Sequence, residues 1–180
     1  MKQFLFSFII LLASINSRSQ NKQSGINLEL VTTSISLEAG QPIGNMSARG
    51  KGSGIGAGAA FHMGYPLRDR INFIATAGYM RFTSKGKNSN GSNYIFYLVG
   101  VQYKIKPPIH IDASIGYAAF KGIASNPFFP NGIAYNNKGI AFNAKAGYQL
   151  TKKLDASVKI QKSNTVFFIG AGLALALSNY

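Results

Sequence analysis

A two-residue rhythm constrains this chain more than any other feature. Along 109–120, Ile109, Ile111, Ala113, Ile115, Tyr117 and Ala119 alternate with His110, Asp112, Ser114, Gly116, Ala118 and Phe120. Along 139–150, Ile140, Phe142, Ala144, Ala146, Tyr148 and Leu150 alternate with Ala141, Asn143, Lys145, Gly147 and Gln149. Along 154–162, Leu154, Ala156, Val158 and Ile160 alternate with Asp155, Ser157, Lys159 and Gln161. A helix returns to one face every three or four residues, a strand every two, so these segments are strands with one apolar face. Eight segments of strand length follow one another at about 26–37, 54–65, 71–82, 94–105, 109–120, 139–150, 154–162 and 165–177. Many of them keep this period, and no convincing helical period interrupts them. Their ~9–12 residues exceed the ~5–6 of a globular strand and match the ~9–11 that a tilted strand needs to cross a bilayer.

The start of the chain points to export. Lys2 supplies a positive first region, residues 4–15 form an apolar run broken only by Ser7 and Ser14, and Ser17 and Ser19 are small residues before a cleavage point. This is the pattern of a secretory signal over 1–19, cut before Gln20, with one domain over 20–180. The apolar run is shorter than the ~20 residues of a membrane-spanning helix. Cysteine is absent, which excludes a disulfide framework, a thiol nucleophile and a lipid-modified N-terminal cysteine. Removing Lys2 and Arg18 from the 19 basic residues leaves 17 against 5 acidic ones, a net charge of +12. In an exported chain such a charge suits anionic lipid or polysaccharide better than nucleic acid.

The connections alternate in length. Long ones lie at 38–53, 83–93 and 121–138, short ones at 66–70, 106–108 and 151–153, with a fourth outer connection, near Ser163 and Asn164, that is short. Pro107 and Pro108 fall in a short turn, where a missing N–H breaks no ladder bond. Long loops at one end and tight turns at the other are the asymmetry of a membrane barrel. The polar parity carries Gly56, Gly58, Gly78, Gly116, Gly147, Gly170 and Gly172. Glycines suit the inside of a narrow closed barrel, whereas on a solvated face they only weaken a strand.

Tyrosine marks the ends of the apolar faces. Tyr65, Tyr103 and Tyr148 share the apolar parity at one end, and Tyr79 and Tyr117 at the other. Two such rows form an aromatic girdle, each ring against hydrocarbon with its hydroxyl at the headgroups.

On strand number, loop asymmetry, girdle and the aromatic C-terminal residue Tyr180 after "GAGLALALSN", the chain from about 26 to 180 resembles the small eight-stranded outer-membrane β-barrels of OmpA/OmpX type. The resemblance implies an all-β, antiparallel, up-and-down transmembrane barrel, monomeric, in the outer membrane of a Gram-negative bacterium. It also implies recognition of the C-terminal strand by the barrel-assembly machinery. Leu173, Leu175 and Leu177 fall on the parity opposite to Tyr180, so a bulge near Ser178 is expected.

Charges on the inward parity form one candidate site: Lys104, Asp112, Lys145, Asp155 and Lys159, with Glu29 if the first strand is regular. The turn at 151–153 sets Lys145 opposite Lys159, an unfavourable pair of like charges that a carboxylate, Asp112 or Glu29, can relieve. A paired network plugging the lumen is expected, since buried charges persist when paired. His62 and His110 also point inward. His110, Ser114 and Asp112 are the ingredients of a lipid A-modifying enzyme, but they lie low in the lumen, away from the bilayer surface where such chemistry occurs. No catalytic residue is therefore assigned, and two histidines without a third clustered ligand make no metal site. No cofactor is implied.

Arg49, Lys51, Lys85, Lys87, Lys121 and Lys138 occupy the outer connections, with Arg81 nearby and Glu38 as the one acidic residue there. Cations at that height face lipopolysaccharide phosphates. The exposed aromatics of "NPFFPNG" at 126–132 are an adhesive tip or a cover for the mouth. The expected role is structural or interactive: envelope integrity, surface contact or lipopolysaccharide binding, with a narrow, mostly plugged lumen. The alternatives are a passive pore with slight anion preference, the lipid A-modifying enzyme, and a secreted calycin-like carrier with its apolar face inward. In the first strand, Ile26, Leu28 and Leu30 lie on one parity and Ile35 and Leu37 on the other, which predicts a bulge around Thr32 and Thr33.

Overall fold

The structure, a computed structural model, describes residues 30–43, 53–84, 91–126, 129–163 and 166–177. Eight strands lie among them: β1 (Thr32–Ile43), β2 (Ser53–Arg68), β3 (Ile71–Ser84), β4 (Ser92–Lys106), β5 (Ile109–Asn126), β6 (Phe129–Gln149), β7 (Leu154–Ser163) and β8 (Val166–Ala176). Each pairs antiparallel with its chain neighbours, and β1 pairs with β8, so the sheet closes into a barrel. The expected signal segment, Glu29 and Tyr180 lie outside the described residues, as does the expected bulge at Ser178.

A line of register partners can be followed around the wall. From Ile71 it passes Tyr103, Ile111, Ala146, Val158, Ala171, Ala39 and Ala57, and returns to β3 at Arg81. The circuit of eight strands gains ten residues, from 71 to 81, toward the long-connection end. That stagger closes a barrel whose strands are tilted, with an interior just wide enough for side chains.

The faces sort as the alternation predicts. Leu37, Ile55, Val158 and Ile140 stand outward and highly exposed, within a band of aliphatic and aromatic side chains that encircles the wall. The inward parity holds the buried residues. A carrier would reverse these faces. So large a contiguous apolar surface belongs against lipid.

The first strand differs from expectation. It runs over Thr32–Ile43 rather than 26–37, and its register with β2 is unbroken from Thr32↔Gly64 to Gly40↔Gly56. There is no bulge at Thr32 and Thr33. Leu30 and Val31 precede the strand, so the apparent change of parity is a strand start and not an inserted residue. The segment 121–138, expected as a loop, is mostly strand: β5 and β6 stay paired from Lys121↔Asn136 to Asn126↔Phe129. This hairpin outreaches its neighbours, because β4 stops pairing at Asn93↔Lys121 and β7 at Ala141↔Ser163.

The end of the lumen nearer the long connections is filled by Met80, Phe82, Tyr94, Phe96, Phe120 and Phe168, all essentially inaccessible. The rings of Tyr94 on β4 and Phe168 on β8 come from opposite walls and meet edge to face, with centroids 5.3 Å apart. Phe82 joins Phe120 at 5.7 Å and Phe168 at 6.1 Å. Inward glycines make the room. Gly56 lies opposite Phe82 and Gly78 opposite Phe96, and a Cβ at either glycine would collide with the ring.

A closed sheet has no edge from which detergent can peel a strand. The protein, extracted in mild detergent and kept cold in SDS, should migrate differently from a boiled sample. Identical mobility of the two samples would contradict closure.

Candidate functional site

Beneath the aromatic layer the lumen turns polar, and each charge is placed by strand register. Lys145 on β6 and Lys159 on β7 are direct register partners. Each has a carboxylate. Asp112, opposite Lys145 on β5, has its Oδ2 2.8 Å from the Lys145 Nζ. Lys159 reaches past β8 to form an ion pair with Glu38 on β1. That reach is open because the β8 residues between them are Gly170 and Gly172. A Cβ on the first would touch the Lys159 Cε, and on the second the Glu38 Cγ, so a bulkier side chain would stand in the way. Glu38, expected in an outer loop, is thus a lumen residue. It was misplaced because the first strand begins later than the alternation suggested.

Lys159 is held from above as well. Its Nζ lies 4.7 Å from the Phe96 ring centroid and 5.5 Å from that of Phe168, within cation–π range. Gln161, one pleat higher, donates from Nε2 to the Tyr94 hydroxyl at 2.7 Å. The Ser36 Oγ lies 2.8 Å from the His62 Nε2, and the His62 Nδ1 3.0 Å from the Thr76 Oγ1. Ser36 also meets the Glu38 Oε1 at 3.3 Å.

Toward the short-turn end, a polar cup of about 220 Å³ is lined by His62, Asn72, Gln102, His110, Asp112 and Asp155, among others. His110 stands between two carboxylates, with Nδ1 3.5 Å from the Asp155 Oδ2 and Nε2 3.8 Å from the Asp112 Oδ1. The imidazole lies over Gly147, its register partner. Lys104 lines the cup and is exposed at its rim. Ser114, the serine expected beside His110, accepts instead from the Asn143 Nδ2 at 3.2 Å. The serine that does meet a histidine is Ser36, which sequence reasoning missed. Its signal was the shared parity of Ser34, Ser36 and Glu38. Among the described residues no cluster of three or more potential ligands could hold a metal ion.

On the outside, Tyr79, Tyr103, Tyr117 and Tyr148 are exposed and Tyr65 half-buried. The register line climbs ten residues in eight strands, which puts Tyr65, Tyr103 and Tyr148 at one height and Tyr79 and Tyr117 at another. Tyr97, opposite Tyr117, joins the second row and was not anticipated. The Tyr79 hydroxyl donates to the Asn93 Oδ1 at 2.8 Å, which leans this ring toward the long-connection end. Arg81, Lys121 and Lys138 are exposed on the outward parity above that row. Arg49, Lys51, Lys85 and Lys87 lie outside the described residues.

The sequence matches no protein-family model and no curated protein. Its structure is similar to that of Ail, the attachment invasion locus protein of Yersinia pestis, with a TM-score of 0.60 at 12% identity over 81% of this chain and 95% of that one. The chain has the fold of the small eight-stranded outer-membrane β-barrels. Ail in complex with the heparin analogue sucrose octasulfate aligns with a TM-score of 0.55 at 13% identity, over 81% of this chain and 96% of that one. The N-terminal β-barrel domain of Pseudomonas aeruginosa OprF aligns with a TM-score of 0.52 at 14% identity, over 81% and 97%.

Removing one member of a buried ion pair leaves a desolvated charge and costs about 3–5 kcal/mol, whereas replacing both with apolar groups is often neutral. Glu38→Leu or Lys159→Met alone should each lower the urea midpoint, read by the loss of the compact gel band. The double variant should be more stable than either single one. If the two losses simply add, the residues do not act as a pair.

Proposed function

We propose that the chain is an exported, monomeric outer-membrane barrel, closed to ions, that serves a structural and contact role at the envelope surface. In this reading residues 1–19 are its signal, the two tyrosine rows mark the membrane interfaces, and the C-terminal strand is read by the barrel-assembly machinery. The short turns face the periplasm and the long connections the exterior.

One observation carries the contact role. The chain has five acidic residues. Glu38, Asp112 and Asp155 lie in the lumen, Asp69 is in the short turn between β2 and β3, and Glu29 precedes β1 in sequence, three residues from its short-turn start. No acidic side chain stands among the described residues of the outward face near the long connections, where Arg81 and Lys121 are exposed. Their counter-ions must come from outside the protein, and at that height the anions are phosphates of lipopolysaccharide or the acidic groups of a polysaccharide. The complex of Ail with a sulfated sugar supports this reading. In the lumen, rings from opposite walls touch, and Lys145 and Lys159 below them each have a carboxylate partner, which favours a plug over a pore and over an enzyme.

Detergent-solubilised protein should be retained by immobilised heparin or lipopolysaccharide at low salt. It should elute before about 1 M salt, where the screening length has fallen to about 3 Å. The Arg81→Gln, Lys121→Gln double variant should elute earlier. No retention at low salt would refute the contact role. In planar bilayers the protein should show no steady current, and an ohmic, anion-preferring conductance would replace the plug with the pore.

A further inference from the structure

The outward wall is not uniformly ridged. Ala113 on β5 and Ala144 on β6 are register partners, flanked in the same row by Val101 on β4 and Ile160 on β7. The two alanines floor a groove of about 500 Å³ between larger side chains. The row above it runs Val99, Ile115, Phe142, Lys162 and Phe167. The groove lining is almost wholly apolar, and among the described residues on it the one charged side chain is Lys162.

The height of Lys162 is informative. It lies two strands beyond Ile115, and the register line gains ten residues in eight strands, so it has risen between two and three residues by β7. Lys162 therefore stands level with Tyr117 in the row of tyrosines nearer the long connections. Its register partners are Phe142 and Phe167, and the acidic residues are in the lumen, in the turn at Asp69 or ahead of β1. At that height the ammonium reaches the headgroup layer while its stem lies along the apolar wall, and the anions it meets there are phosphates.

We propose that this groove is a binding site for a phosphorylated glycolipid of the lipid A class. One acyl chain lies over Ala113 and Ala144, and a headgroup phosphate pairs with Lys162. Lys121, exposed on β5 and higher on the wall, is positioned for a second phosphate, which favours a headgroup with more than one over a glycerophospholipid. The inference rests on the contact role proposed above and gives it a defined lipid site.

The test is native mass spectrometry of the full mature protein released from detergent, titrated with bis-phosphorylated lipid A and, separately, with phosphatidylglycerol. The wild type should hold lipid A in preference to phosphatidylglycerol. Lys162→Met should weaken lipid A about fivefold, the effect of about 1 kcal/mol for one lysine at an anionic surface. Ala144→Phe, which fills the groove and leaves every charge in place, should weaken it as well. Lys152→Met, at the short-turn end, should not. The anomalous gel mobility of each variant verifies that it is folded. If both groove variants bind lipid A like the wild type, the site is refuted while the contact role stands. If phosphatidylglycerol binds equally well, the glycolipid assignment is refuted. If the wild type binds neither lipid A nor immobilised lipopolysaccharide, both readings fall together.

Discussion

The whole barrel depends on the pairing of β1 with β8, which runs from Ser34↔Ala176 to Ile43↔Phe167. In hydrocarbon an unpaired backbone N–H or C=O costs several kcal/mol, and an open sheet would leave two edges of them. Closure removes both edges and fixes the stagger of ten residues per circuit. The stagger then decides which side chains share a height. Tyr65, Tyr103 and Tyr148 fall level only because of it, and so do Tyr117 and Lys162.

Inside the wall, space and charge are solved together. The lumen of an eight-stranded barrel is too narrow for a ring or a long side chain at every inward position, so large groups are matched with glycines. Phe82 lies over Gly56, Phe96 over Gly78 and His110 over Gly147. Two consecutive inward glycines on β8 keep a lane open between Lys159 and Glu38. The same side chain that forms this ion pair lies against Phe96 and Phe168, so the aromatic layer and the charge layer share Lys159. Gln161 and Tyr94 make a second link between them.

Much of this was legible in the sequence, because period-two alternation survives wherever a strand has one face in lipid and one in a polar lumen. It set the strand number, the inward position of Lys145 and Lys159, and the turn that makes them partners. It failed at the first strand for local reasons. Ile26, Leu28 and Leu30 alternate on the parity opposite to Ile35 and Leu37 and so suggest a strand over 26–37, whereas Gly40, Gln41 and Pro42 have turn chemistry although they lie within Thr32–Ile43. Glu38 was misplaced with that strand, and the partner of Lys159 was lost with it. The aromatic layer was missed for another reason. Tyr94 and Phe96 are apolar, like the lipid-facing residues, and only the parity they share with Gln102 and Lys104 marks them as inward.

The Lys159–Glu38 pair joins residues 121 positions apart in the chain. Neither side chain meets the other until the last strand has docked on the first. A contact made so late does little to the speed of assembly. By the logic of late-forming interactions, its energy instead raises the barrier to opening. The glycines of β8 therefore bear on the lifetime of the finished barrel, since they clear the path along which this latch is set.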